Sequence, residues 1–145
     1  MPKFIADFFP NVANYWDIFL TALTATYQMF FIAGLITLLI GGAFGISLIV
    51  TKTDGIKPNR IIHFILEVIT NVFRAVPFII LLIFLIPLTR SIAGTSIGVK
   101  GAVVPLVFGA VPFYTRQVET ALADVNPGKI EAARSMGSST LGIIF

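Results

Sequence analysis

Residues 18–51 read IFLTALTATYQMFFIAGLITLLIGGAFGISLIVT, and not one of them is charged. A helix crossing about 30 Å of hydrocarbon needs about 20 mostly apolar residues, so this run holds one tilted span with helical extensions at its ends. Tyr15, Trp16 and Tyr27 suit an aromatic belt at the membrane surface. A signal peptide fits poorly: the preceding segment is acidic at Asp7 and Asp17, and the apolar run far exceeds a hydrophobic region of roughly 7–15 residues. The span is expected to be retained.

Composition agrees. Of 145 residues, 57% are apolar and 12% charged, with a mean hydropathy of +0.95, against roughly 25% charge in a soluble domain. Ten Lys and Arg and seven Asp and Glu cannot coat a water-soluble chain of 15.7 kDa. The absence of Cys excludes disulfides, thiolate metal sites and a Cys nucleophile, and His63, the single His, leaves no His pair for zinc. A net charge of +3 and a pI near 9.5 accompany basic residues scattered singly between apolar runs, which is a membrane-orientation pattern rather than a nucleic-acid surface.

Beyond the first span, Lys52, Asp54, Gly55, Lys57, Pro58 and Arg60 form a polar connection with turn chemistry at Asp54-Gly55 and Pro58. A second apolar region runs from Ile61 to about Leu88, interrupted by His63, Glu67 and Arg74 and carrying Pro77 and Pro87. It reads as a helix starting near the surface and bent at Pro77, with Arg74 snorkelling or buried against protein. After the turn Ala93–Gly98, a third uncharged run covers Gly101 to Thr115 and contains Pro105, Gly109 and Pro112. Such residues are tolerated in a span where neighbouring helices satisfy the freed backbone groups, so a packed bundle is implied. The fold class is thus an all-α transmembrane bundle: an external segment 1–17, three spans within 18–115, and a cytoplasmic segment 116–145. Lys52, Lys57, Arg60, Arg116, Lys129 and Arg134 outnumber Lys3, Arg90 and Lys100, which puts the first connection and the C-terminal segment in the cytoplasm and the N-terminus outside.

Three sets of residues carry candidate functions. Ala33, Thr37, Gly41 and Gly45 recur every four residues and form a small face, suited to a neighbouring helix of the same chain or to a subunit interface. Arg74, with Thr70 and Asn71 on the turn before it, is the candidate pathway or gate residue; the alternative is a surface Arg paired with Glu67. His63 and Glu67 share a face at i, i+4, but with no third ligand no metal is assigned.

The third set follows the last span. Val118, Ala121, Leu122 and Val125 form an apolar stripe on an amphipathic helix beginning at Arg116. Asn126 then caps a second helix, Pro127 takes its first position and Gly137 ends it. A helix this short is marginal alone in water, so it must be docked. Ala132 and Ala133 permit close approach, while Glu131 and Arg134 at i, i+3 offer polar contacts at the rim.

Glu131-Ala132-Ala133, three residues, then Gly137 resembles the EAA-x3-G start of the loop shared by membrane subunits of ABC importers. The blocks Asn71-Val72-Phe73-Arg74-Ala75-Val76-Pro77-Phe78-Ile79-Ile80-Leu81-Leu82, Ile86-Pro87-Leu88-Thr89-Arg90, Gly94-Thr95-Ser96-Ile97-Gly98 and Val103-Val104-Pro105-Leu106 are similar to those of the methionine-uptake permeases within that family. The resemblance covers about Ile18 to the end. It implies a non-catalytic subunit of a bacterial inner-membrane importer for D- or L-methionine, with five spans in a longer chain, a permease homodimer, ATPase subunits and a substrate-binding lipoprotein. In that family the short helix couples to the ATPase, which assigns coupling to Ile130, Glu131, Ala132, Ala133, Arg134, Met136 and Gly137. No G-x-x-x-x-G-K-[ST] occurs here, so ATP and magnesium are expected on the partner ATPase and no cofactor on this chain. Alternatives are a permease for another polar amino acid, and a stand-alone channel or structural membrane protein. A membrane-embedded enzyme lacks its paired acids or His cluster. No substrate-binding residue is legible.

Overall fold

The uncharged run forms a single helix, α1 (Trp16–Thr51), of 36 residues, about 54 Å long at 1.5 Å per residue. The computed structural model describes Phe9, Val12 and residues 14–144. Lys3, Asp7 and most of the expected external segment lie outside the described residues. After α1 come α2 (Arg60–Ala75), α3 (Phe78–Phe84), α4 (Ile86–Ala93), α5 (Gly98–Ala123), α6 (Pro127–Ser135) and α7 (Thr140–Ile144). α1 and α5 are each long and apolar enough to cross a membrane, and α2 with α3 makes a third crossing if the bent pair counts as one span.

Burial on α1 inverts the order of a soluble protein. Ala33, Thr37, Gly41, Gly45 and Leu48 are buried, whereas Phe30, Phe31, Leu35 and Leu39 are exposed. Lipid tails solvate large apolar side chains as well as protein does, so burial goes to the residues that let two backbones meet. A Cβ added at Gly41 would lie 2.9 Å from Tyr114 Cδ1 and 3.2 Å from the Val111 carbonyl oxygen, and one at Gly45 would lie 2.6 Å from Val118 Cβ and 2.8 Å from the Thr115 carbonyl oxygen. The small face therefore packs on α5 of the same chain. The fully buried Thr115 seals the contact, its Oγ1 donating to the Gly41 carbonyl at 3.3 Å.

Partner numbers rise together along the two helices, so α1 and α5 run parallel. Thr51 and Ala123 consequently end on the same side, and the chain must return between them. The segment α2 to α4 makes that return. Asn59 caps α2, its side chain accepting from the Ile62 amide at 3.1 Å. At the other end Pro77, which has no N–H, holds Val76 extended at φ −83° and ψ 124°, and α3 leaves at 104° to α2. The sequence anticipates a bend here within one span; the structure has a complete break, because both the Pro ring and the extended residue before it stop the α2 ladder. Phe78 closes over Gly109, and Phe73 packs against Phe108 with the rings tilted at 45° and centroids 5.8 Å apart.

α5 runs unbroken through the expected membrane boundary between Thr115 and Arg116. The third span and the amphipathic segment are one helix containing the buried Pro105 and Pro112. Side-chain polarity changes at Arg116 without any residue that would end a helix. Of the anticipated stripe, Val118 and Leu122 are half-buried, while Ala121 and Val125 are exposed.

Gly45→Leu should lower the thermal midpoint of the full-length protein in detergent by the equivalent of about 1–3 kcal/mol, the usual cost of overpacking. Gly34→Ala, where an added Cβ meets nothing within 4 Å, should leave it unchanged. A Gly45→Leu variant with parental thermal stability would refute the α1–α5 contact.

Candidate functional site

The packed ends of α1 and α5 form one block, to whose α1 side the segment between α1 and α2 is tied. That segment folds back on α1: Gly55 N–H donates to Lys52 O at 2.8 Å, Lys57 N–H to Val50 O at 3.0 Å and Asn59 N–H to Thr51 O at 2.9 Å. Space is tight enough that a Cβ at Gly55 would lie 2.4 Å from the Val50 carbonyl oxygen.

On this block sits α6. Asn126 Oδ1 accepts from the Gly128 amide at 2.8 Å, with Pro127 at the first helical position, which satisfies one of the donors a helix start leaves open. The far end closes through Gly137 at φ +78°, with Gly137 N–H bonded to Arg134 O at 2.9 Å and Ser138 N–H to Ala133 O at 3.1 Å. This pair of bonds is the glycine-dependent helix ending in which the chain reverses through the left-handed region. Both ends of the helix expected from the sequence are thus in place.

The faces of α6 are distributed differently from expectation. Arg134 Nη2 donates to Ile56 O at 2.7 Å and Gly55 O at 3.3 Å, so its charge grips the α1–α2 segment and not Glu131. Ala133 is half-buried on that side. Ile130, also half-buried, lines a cavity of about 370 Å³ with Ile46, Val50, Leu122, Val125 and Ile143. Glu131 and Ala132 face outward, as does Met136, which is 79% exposed. The two alanines therefore do not share one docking face: helical spacing puts Ile130, Ala133 and Arg134 at i, i+3, i+4 against the chain's own body.

Above the block, Arg116 organises a polar cluster that sequence reasoning missed. Its Nη1 donates to Glu119 Oε2 at 2.6 Å and its Nη2 to Asn71 Oδ1 at 2.8 Å, with Glu67 Oε1 at 3.6 Å. His63 lies 3.8 Å from Glu67, and its Nδ1 donates to the Leu48 carbonyl at 3.0 Å, since a carbonyl can only accept. The i, i+3 spacing of Arg116 and Glu119 was the available signal. The anticipated Arg74–Glu67 pair is absent because Arg116 takes the Glu67 carboxylate. Among the described residues no three His, Asp or Glu are grouped to hold a metal ion. Arg74 instead lines a separate cavity of about 520 Å³ with Phe73, Phe78 and Phe113.

Broken and parallel spans beneath a short surface helix define an α-helical membrane component. The chain belongs to the family described as binding-protein-dependent transport system inner membrane component, whose model matches residues 43–145. Among relatives, it is 45% identical over 119 residues to the D-methionine transport system permease protein MetI of Yersinia pestis and 44% identical over 119 residues to that of Escherichia coli K12. Each alignment covers 82% of this chain and 55% of the relative. Its fold matches a chain of the MetNI methionine ABC transporter in an inward-facing conformation with a TM-score of 0.81 and 43% identity, over 84% of this chain and 56% of that one. The chain spans about half the length of the curated relatives it matches.

Arg134→Ala should free α6 from the block. Hydrogen bonds from a charged donor contribute about 1.5–3 kcal/mol, and at this exposed position about 1 kcal/mol is expected. Amide exchange in 127–136 and in 53–57 should then rise about fivefold, with Gly98–Ala123 unaffected. Unaltered exchange in both segments would show that Arg134 does not hold α6.

Proposed function

We propose that this chain acts as the transmembrane permease component of an ABC importer that carries methionine into the cytoplasm. The observation that carries the reading is α6: a capped helix clamped to the ends of two parallel spans, with Glu131, Ala132 and Met136 turned away from the body. Its partners are an ATPase that binds ATP and magnesium, a second permease copy and an external substrate-binding lipoprotein. The similarity to the D-methionine permeases and to the MetNI structure supports the substrate and the ATPase. The docked helix disfavours a stand-alone channel, which has no use for one. Transport here needs no bond chemistry in the permease. ATP binding closes the ATPase pair, α6 is displaced, and the attached spans exchange inward and outward access as rigid units.

The outward face and the inward face of α6 do different work in this mechanism. In the full-length protein, Glu131→Lys combined with Met136→Asp should reduce ATPase capture at least tenfold while permease amount stays constant. Gly137→Val, which forces a branched side chain into a left-handed conformation costing roughly 1–2 kcal/mol, should depress methionine uptake. Capture and uptake at parental levels in both variants would remove α6 from the coupling role.

Orientation has its own test, since the chain has no native cysteine. The interior placement of the α1–α2 segment and the exterior placement of the α4–α5 turn predict that an impermeant thiol reagent added to intact cells labels Ile97→Cys and spares Lys57→Cys. Position 97 is 82% exposed, and Lys57 is exposed as well. Labelling at 57 from outside would invert the assignment.

A further inference from the structure

Arg74 stands at the broken end of α2 with its polar neighbours already engaged. Asn71 and Glu67, one and two turns earlier, are both bound by Arg116, and among the described residues Arg74 makes no ion pair. Its depth matters. The cavity it lines includes Gly109 and Ala110, which lie about 9 Å along α5 on the membrane side of Arg116. A guanidinium inside a span is costly unless it meets an anion, a backbone carbonyl or a water-filled route, and such residues mark pathways.

The rest of the lining is apolar: Phe73, Val76, Phe78, Leu81, Leu106 and Phe113 line an open groove of about 520 Å³, a volume within the range of small-molecule sites. One fixed cation at the edge of an apolar wall fits a small molecule with an anionic end and an apolar body. The break at Pro77 creates this juxtaposition. Had α2 continued, Phe78 and Leu81 would not turn across the end of the helix that carries Arg74.

We propose that Arg74 receives the α-carboxylate of the transported amino acid, whose apolar side chain lies against Phe78 and Phe113. This assignment rests on the importer reading above. The guanidinium presents a fork of donors matched to a carboxylate, and a thioether makes favourable contacts at aromatic ring edges. Arg74 thereby selects for a free carboxylate, and the aromatic wall for an apolar side chain.

The test uses the full-length permease assembled with its ATPase in proteoliposomes and a photoreactive diazirine analogue of methionine. Label should fall within 73–81 and 106–113, be displaced by methionine, and resist methionine amide, which lacks the carboxylate. Arg74→Gln should lose at least tenfold in labelling and uptake per assembled complex, and Arg74→Lys should recover part of both. Ala110→Phe, which fills the cavity and leaves Arg74 in place, should also lower labelling and decides the matter if Arg74→Gln fails to assemble. Parental labelling per complex in Arg74→Gln, in Ala110→Phe where that variant decides, or label confined elsewhere while methionine is still transported, overturns the subsite alone. Absence of methionine uptake by the parental complex instead overturns the substrate reading on which it rests.

Discussion

Where Gly41 and Gly45 meet α5, backbone lies against backbone, with the Val111 and Thr115 carbonyls in the space side chains would otherwise take. In lipid there is little gain from burying a Leu, so helices are held by close van der Waals contact and by hydrogen bonds averaging about 0.6 kcal/mol across spans. Thr115 supplies one such bond at the tightest point. Because the two helices are parallel, the rest of the chain has to fit between them: one return path, one segment joining the lower ends, and a surface helix placed across both. The long apolar side chains on the outside contribute solubility in the bilayer and little to the arrangement.

The return path has to cross the membrane with its backbone interrupted at Pro77. Two features compensate. Phe78 settles over Gly109, where only a glycine leaves room for the ring, and Arg116 ties α2 ahead of the break to α5 through Asn71 and Glu67. The polar anchorage of α2 therefore runs from His63 through Glu67 to Asn71, and only its last turn to Ala75 is without such ties. Rigidity and irregularity are separated along one short helix. The irregular end thus stands on a regular stretch of helix held by polar contacts.

Much of this was legible without coordinates. The uncharged run gave α1, the four-residue spacing of small residues gave its buried face, and Asn126-Pro127 with Gly137 gave the limits of α6, because capping and left-handed termination depend on residues adjacent in sequence. Contacts across long separations were not legible. Arg116 and Arg134 each choose among several oxygens, and only the packed structure shows that Arg116 takes Asn71 and Glu67 while Arg134 takes backbone carbonyls at Gly55 and Ile56. The division of Ala132 from Ala133 depends on how α6 is rotated, which a nine-residue helix of mixed composition does not announce. The continuity of α5 was hidden by its change of polarity, which reports where water begins and says nothing of helix ends.

The parallel pairing of α1 with α5 also sets a schedule for biogenesis. Gly41 and Thr115 are 74 residues apart, and at roughly 5–20 residues per second of synthesis about 4–15 s separate the emergence of one from that of the other. Throughout that interval the grooved side of α1 is already in the bilayer with nothing from its own chain to fill it. Any other helix bearing small residues is then a competitor for the groove, so the crowding at Gly41 and Gly45 that fixes the finished bundle is also what a nascent chain must keep vacant until α5 arrives.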